Sequence, residues 1–173
     1  MKAGSDKQGS KGLQAVQTWR WKFSLMAAAV LAASVIFVAA VRADDLAATI
    51  ATRQAGMKAM SGKLKAIKAF ADNGTGQAEA ADAVATIVAT AKQIPSWFPA
   101  GSGLDAFAGK TAAKPDIWSD NAKFQATAKT FLADAEVLQK AIAAGDKAAA
   151  ASAFDAMGRE GCGTCHGAFR AKT

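Results

Sequence analysis

Hydrophobic positions recur along the chain after residue 44 with alternating spacings of four and three residues. In the first stretch with this pattern, the repeated positions are Leu46, Ile50, Arg53, Met57, Met60, Leu64 and Ile67. The spacing is that of a helix that packs along one seam, and Arg53 puts a charge on that seam. Asp44 and Asp45 suit the start of this helix, and the turn residues at 72–76 end it.

The same periodicity predicts three more helices. The second stops at Pro95, and its seam is Ala80, Val84, Ile87, Ala91 and Ile94. The third opens near Pro115, and its seam is Phe124, Ala128, Phe131, Ala135, Leu138 and Ile142. Gly145 and Asp146 end the third helix and cap the fourth, which runs through Met157 into a cysteine-containing stretch near the C-terminus.

The lengths of the connections indicate the architecture. The connection between the second and third helices, at residues 95–115, is long, and the other two connections are short. Short connections make neighbouring helices antiparallel, so residues 44–173 are predicted to form an all-α domain, an antiparallel four-helix bundle. The composition agrees, because the chain is rich in alanine and has only three prolines and no tyrosine.

The formal net charge of +7 overstates how basic this domain is. The first 43 residues hold six of the 21 lysines and arginines but one of the 14 acidic residues, which leaves 15 basic and 13 acidic residues for the rest. A nearly balanced domain without a basic stripe gives no reason to expect nucleic acid binding. An anionic or a neutral partner surface is compatible with this balance.

Residues 1–43 have the order of a secretory signal. A polar, basic stretch at 1–22 precedes a 19-residue apolar run at 23–41, and Val41-Arg42-Ala43 suits a cleavage site. The alternative is an uncleaved membrane anchor formed by residues 23–41, because a helix of that length spans about 28 Å, close to the thickness of the hydrocarbon core. Cleavage after Ala43 and membrane tethering both place residues 44–173 in a bacterial periplasm.

The two cysteines and the single histidine of the chain fall within five residues, Cys162-Gly163-Thr164-Cys165-His166. Cys-x-x-Cys-His is the attachment motif of haem c, in which the thiols form thioethers with the haem vinyl groups and the histidine coordinates the iron. On a helix the three side chains point to one side. A thioredoxin-type redox pair would need a βαβ setting, and a structural zinc ion would need four ligands. The motif therefore predicts one covalent haem, with His166 as the metal ligand.

A single histidine restricts the sixth coordination position of the iron to methionine, lysine, water or no ligand. Met57 and Met60 are the candidate ligands, and the alternative is that both are core residues that cover the iron. Arg53 would suit a haem propionate, or it snorkels from the edge of the seam. Four aromatic residues can wall the pocket or pack the core, with Phe124 expected in the core: Trp97, Phe98, Phe124 and Phe131.

With these stretches in view, the chain resembles the cytochrome c prime family over about residues 44–172. The resemblance rests on residues 53–58 (RQAGMK), 94–98 (IPSWF) and 114–120 (KPDIWSD), and on residues 145–170, which contain the cysteine motif. The family consists of periplasmic four-helix-bundle cytochromes with a C-terminal haem motif. Beyond residue 102 the long connection departs from the family pattern.

The resemblance implies a role for each matching residue. By this resemblance, Cys162 and Cys165 bind haem covalently and His166 is the proximal ligand. Arg53 and Gln54 lie near the haem edge and propionates. Met57 blocks the distal face without bonding to iron, and Arg170 lies beside the proximal pocket. It also implies a homodimer and five-coordinate iron that binds nitric oxide and carbon monoxide.

Two hypotheses for the function follow. The first is a periplasmic, five-coordinate haem c protein that binds nitric oxide or carbon monoxide and can transfer electrons. The alternative is a six-coordinate, low-spin His/Met electron carrier, free or tethered to the membrane through residues 23–41. The sequence contains no constellation of catalytic acid, base or nucleophile, so an enzyme is not predicted, and it does not identify a redox partner.

Overall fold

The computed structural model of the protein describes residues 43–172, of which residues 45–172 belong to one compact unit. The predicted signal or anchor segment lies, apart from Ala43, outside the described residues. The helices are α1 (43–73), α2 (Gln77–Ala91), α3 (Asp116–Ser119), α4 (Asn121–Ala143), α5 (Lys147–Ala156) and α6 (Thr164–Phe169). A 3₁₀ turn spans Ile94–Trp97, and a π-helical segment, Met157–Gly163, joins α5 to α6.

The predicted all-α, antiparallel four-helix bundle is confirmed, with α1, α2, α4 and the run from α5 to α6 as its four helices. Every predicted seam residue of the second and third helices is buried. The seam of α1 is buried at Ile50, Arg53, Met60 and Ile67 and partly buried at its other positions. Among residues 43–172, no helix is long and apolar enough to cross a membrane.

Two predicted helix starts differ from the structure. Residues 43–45 are already helical, so Asp44 and Asp45 lie within α1 and do not cap it. The predicted third helix is divided into α3 and α4, because the backbone of Asp120 leaves helical geometry (φ −121°, ψ 54°). The side chain of Asp120 accepts a hydrogen bond from the backbone N–H of Lys123 at 3.4 Å, so this residue caps α4.

The turn between α4 and α5 forms as predicted. Gly145 has a φ of +69°, a left-handed conformation that glycine adopts without steric cost. The next residue, Asp146, caps α5, since its carboxylate accepts a hydrogen bond from the backbone N–H of Ala149 at 2.9 Å.

The fourth helix is not the continuous α-helix that the sequence predicted, because the π-helical segment interrupts it. Within this segment Gly161 is buried against α4, and a Cβ atom added to it would lie 2.7 Å from the Phe131 ring and 3.2 Å from the Phe131 Cα. A side chain at this position would therefore push the segment away from α4, together with the neighbouring Cys162.

Part of the long connection crosses the end of the bundle as residues 102–113, which we call the strap. The strap closes on itself through a hydrogen bond from the Leu104 N–H to the Ala113 carbonyl at 2.9 Å. Ala113 forms an antiparallel bridge with Arg170, and the Ala171 N–H donates to the Ala112 carbonyl at 2.8 Å. The backbone thus ties the strap to the residues that follow α6.

Candidate functional site

A cavity of about 900 Å³ lies between α1, α4, the strap and the segment that carries the cysteine motif. Its lining is mainly apolar, with a few polar and charged side chains contributed by α1, the strap and the C-terminus. The volume is at the upper end of the range for sites that hold ligands and cofactors.

The three residues of the C-terminal motif meet at this cavity. Cys162 is the last residue but one of the π-helical segment, Cys165 and His166 lie in the first turn of α6, and all three line the cavity. Both thiols are free and half-buried, and burial raises the pKa of each. Burial and then the charge of Arg170 lower the pKa of His166, which favours the neutral imidazole that binds metals.

Asp134, on α4, is an acidic group close to the motif, and no pattern in the sequence pointed to it. Its Oδ2 atom is buried without a hydrogen-bond partner, and burial followed by the charge of Glu160 raises the pKa of its carboxyl group. The negative charge of Asp134 also adds to the raised pKa of Cys162. This carboxyl group is therefore held closer to its neutral form than an exposed aspartate.

From α1, Gln54, Met57 and Met60 reach the same cavity. Met57 is half-buried and Met60 is buried, and both pack against the hydrophobic core. Gln54 donates a hydrogen bond from Nε2 to the Lys110 carbonyl in the strap at 2.7 Å. Both candidate iron ligands on α1 are thus part of the cavity wall.

Arg53 also lines the cavity, but its polar contacts are with the long connection. It is 3% exposed, so the alternative of a snorkelling side chain is wrong. One Nη atom donates to Ser102 Oγ at 2.8 Å and to the Trp97 carbonyl at 3.3 Å, and the other to the Ser102 carbonyl at 2.6 Å and to Thr111 Oγ1 at 2.7 Å. Because these four bonds use all the Nη–H donors, only Nε–H remains for another partner. Burial lowers the pKa of Arg53.

A row of aromatic rings continues from Arg53 along the cavity wall. The guanidinium carbon of Arg53 lies 4.7 Å from the centre of the Phe98 ring. Phe98 meets Phe124 edge to face at 5.0 Å, and Phe124 meets Phe169 in the same way at 5.4 Å. Phe124 is therefore both a core residue and part of the cavity wall, as is Phe131, whereas Trp97 is buried away from the cavity.

Arg170 closes the C-terminal side of the cavity. Its side chain is exposed and lines the cavity, and its backbone N–H donates to the His166 carbonyl at 3.1 Å. The sequence placed Arg170 near His166 correctly by helical spacing, but not its pairing with the strap. Ser102 and Thr111, which accept the Arg53 bonds, had no detectable signal in the sequence.

The donor set and the shape of the cavity fit a covalently attached haem. Two free thiols and an adjacent imidazole face one large apolar cavity, and cationic side chains lie at its edge, where haem propionates need partners. A helical bundle with this site is a c-type cytochrome. A sequence profile of the family Cytochrome C' matches residues 48–170, and the chain belongs to this family, whose members carry a covalent haem c.

Individual proteins of the family show the same likeness. The chain is 35% identical over 122 residues to the cytochrome c' of Pararhodospirillum photometricum, which covers 68% of this chain and 92% of that protein. A solved cytochrome c' with ligand-controlled dimer dissociation superposes with a TM-score of 0.68 and 28% identity, covering 73% of this chain and 97% of the other. The nitric oxide complex of a mutant cytochrome c prime from Alcaligenes xylosoxidans superposes with a TM-score of 0.62 and 25% identity, covering 72% of this chain and 94% of the other.

Proposed function

We propose that this protein is a five-coordinate haem c protein that binds nitric oxide or carbon monoxide and can exchange electrons. The observation that carries the proposal is that His166 is the only histidine of the chain, while the further ligand candidates that α1 adds to the cavity lining are the thioethers of Met57 and Met60 and the exposed amine of Lys58. Haem c, once attached, supplies a redox-active iron with an open coordination position.

In this proposal each motif residue has one task. Cys162 and Cys165 hold the haem covalently, and His166 is the iron ligand on its proximal side. Burial lowers the pKa of His166, which favours the neutral imidazole that coordination requires. Arg170, whose positive charge contributes to that lowering, lies beside the proximal pocket.

Two residues of α1 would hold the propionate edge of the haem. Gln54 is exposed at the cavity edge, where it is within the lining that would meet a propionate. Arg53 contributes its positive charge to the same wall, although its Nη groups are already bound to the connection. We therefore assign Arg53 to holding the strap and to offsetting propionate charge through space.

Met57 is proposed to restrict access to the iron by its bulk. Its thioether carries no hydrogen-bond donor, so Met57 itself would act on a bound gas molecule through its bulk alone. The relative from Alcaligenes xylosoxidans, solved with nitric oxide, supports this choice of ligand.

Visible spectra of the ferrous protein, with and without carbon monoxide, test the coordination. We expect high-spin bands that change to low-spin bands on binding. In Met57→Ala, carbon monoxide should bind about tenfold faster, equivalent to about 1.4 kcal/mol of steric barrier removed. Met57→Leu keeps the bulk without the sulfur, so its binding rate should stay close to that of the wild type.

The alternative, a six-coordinate His/Met electron carrier, is favoured by the presence of both Met57 and Met60 in the cavity lining. It predicts low-spin bands in both oxidation states. Those bands would disappear in Met57→Leu or in Met60→Leu, whichever methionine binds the iron. Such a spectrum would rule out the five-coordinate proposal, and an unchanged rate in Met57→Ala would remove Met57 from the access route.

We further propose that residues 1–43 are a signal peptide that is cleaved after Ala43, so that the bundle of residues 44–173 acts in the periplasm. The order of basic, apolar and small residues supports cleavage. The N-terminal residue of the purified protein is expected to be Asp44. An intact N-terminus in the membrane fraction would instead support the anchor at residues 23–41.

A homodimer is the proposed assembly, because a related cytochrome c' forms a dimer whose dissociation is controlled by ligand. Sedimentation of the purified holoprotein, with and without carbon monoxide, measures this directly. A monomer at all protein concentrations would contradict it.

A further inference from the structure

Three exposed cationic side chains surround the mouth of the haem cavity. Lys58 comes from α1, Lys110 from the strap, and Arg170 from the end of α6, and all three are cavity-lining residues. We call these three residues the cationic rim. They come from separate parts of the sequence, and the fold brings them together around one opening.

The charge of this opening differs from that of the domain as a whole. From residue 44 onward the chain has 15 basic and 13 acidic residues, yet no lining residue of the described cavity is aspartate or glutamate. Buried Arg53 adds a fourth positive charge to the wall. Two ionised haem propionates would offset only part of this charge, so the opening remains positive.

The cationic rim is not neutralised within the described chain. The two ion pairs found among residues 43–172 are Lys68 with Asp72, at 2.8 Å, and Lys114 with Asp116, at 3.5 Å. Neither pair includes a rim residue. The three rim charges are therefore free to attract an anionic surface.

We propose that the cationic rim is the docking surface for a redox protein that presents an acidic patch, which brings that patch to the haem edge. The proposal rests on the electron-transfer part of the proposed function. A protein is favoured over an anionic membrane, because membrane-binding surfaces combine more basic residues with apolar side chains that insert. The exposed large hydrophobic residue of the described chain, Val137, lies on α4 and does not line the cavity.

Electron transfer with small reagents of opposite charge measures the local field at the rim. The ferrous holoprotein is oxidised to the ferric form by the anion hexacyanoferrate(III) or by the cation tris(phenanthroline)cobalt(III), each of which accepts one electron, over a range of salt concentrations. In Lys58→Glu/Lys110→Glu, the rate with the anion should fall about tenfold at low salt and the rate with the cation should rise. These differences should vanish near 1 M salt, where the screening length is about 3 Å.

The matched control is Lys92→Glu/Lys129→Glu, which makes the same change in net charge. Both lysines are exposed and line a separate groove between α2 and α4. This variant should change either rate less than twofold. If the two double variants behave alike, only the net charge matters and the docking proposal is wrong. The result does not depend on whether the iron has five or six ligands, so it is separable from failure of the gas-binding proposal.

Binding is measured directly with a 15-residue glutamate peptide as the acidic probe and ¹⁵N-labelled holoprotein. Amide shifts should concentrate at the three rim residues and weaken as salt rises. Shifts centred on Lys92 and Lys129 would overturn the proposal. Salt-sensitive co-sedimentation with vesicles containing 30% phosphatidylglycerol, lost in the rim variant, would also overturn it and assign the rim to a membrane.

Discussion

Replacing both Cys162 and Cys165 with alanine is expected to leave no haem on the polypeptide after denaturation. The wild-type chain should keep its haem through a denaturing gel, because thioether bonds survive unfolding whereas the bond from His166 to iron does not. The two thiols are free, half-buried and directed to the same cavity, so each is available to one vinyl group. Haem-linked peroxidase staining of the gel measures the result.

The single variants are the controls for this experiment. Cys162→Ala and Cys165→Ala each keep one thiol at the cavity, so each should retain haem on the denatured chain through one thioether. The absorption bands of pyridine adducts should then report one unsaturated vinyl group in each single variant and two in the double variant. Haem that stays with the denatured double variant would mean that another side chain makes the attachment.

The helical periodicity predicted most of the bundle because burial of one apolar face dominates the stability of such helices. The seam from Phe124 to Ile142 is buried at every predicted position. The turn at Gly145 and Asp146 was predictable for another reason. Glycine is favoured just after a helix because it adopts the left-handed conformation without strain, and aspartate is favoured as the cap of the next helix. These features depend on residues close together in the sequence.

Two interruptions of the predicted helices were not predictable from the hydrophobic periodicity. The break at Asp120 arises because a local capping bond to Lys123 competes with helix continuation, and periodicity does not detect such a bond. The π-helical segment contains Gly158, Gly161 and Gly163, a sign of weak helix propensity, but the need for glycine at 161 comes from the approach of Phe131 in α4.

The candidate site also has a part that the sequence predicted and a part that it did not. Cys162, Cys165 and His166 were predictable because their spacing is itself the chemical signal. Arg53 was visible as a charge on an apolar seam, but its partners were not, because Ser102 and Thr111 are 49 and 58 residues away in the sequence. The sequence therefore indicated that Arg53 needs a partner in the folded protein, and the structure identifies that partner as the long connection, which contributes to the cavity wall.

Arg53→Met is expected to lower the free energy of unfolding of the holoprotein by about 3 kcal/mol. The substitution keeps an unbranched apolar stem but removes the donors to Ser102 Oγ, the Ser102 carbonyl, Thr111 Oγ1 and the Trp97 carbonyl. These acceptors lie in a buried or partly buried region, where an unmet hydrogen bond is costly. Denaturant titration followed by circular dichroism measures the loss.

Arg53→Lys and Gln54→Met are the controls that show which hydrogen bonds account for the stability lost in Arg53→Met. A lysine ammonium is a single nitrogen with three donors and no planar fork, so it cannot replace all four bonds of the guanidinium, and Arg53→Lys should also be destabilised. Gln54→Met removes one exposed bond to the strap, from Nε2 to the Lys110 carbonyl, and should cost about 1 kcal/mol or less. Because Arg53 holds the strap, its loss should also speed hydrogen exchange at the Leu104 and Ala171 amides, which close the strap and join it to the C-terminus. A variant Arg53→Met that matches Gln54→Met in stability and leaves both amides protected would show that the strap is held by its backbone bridges alone.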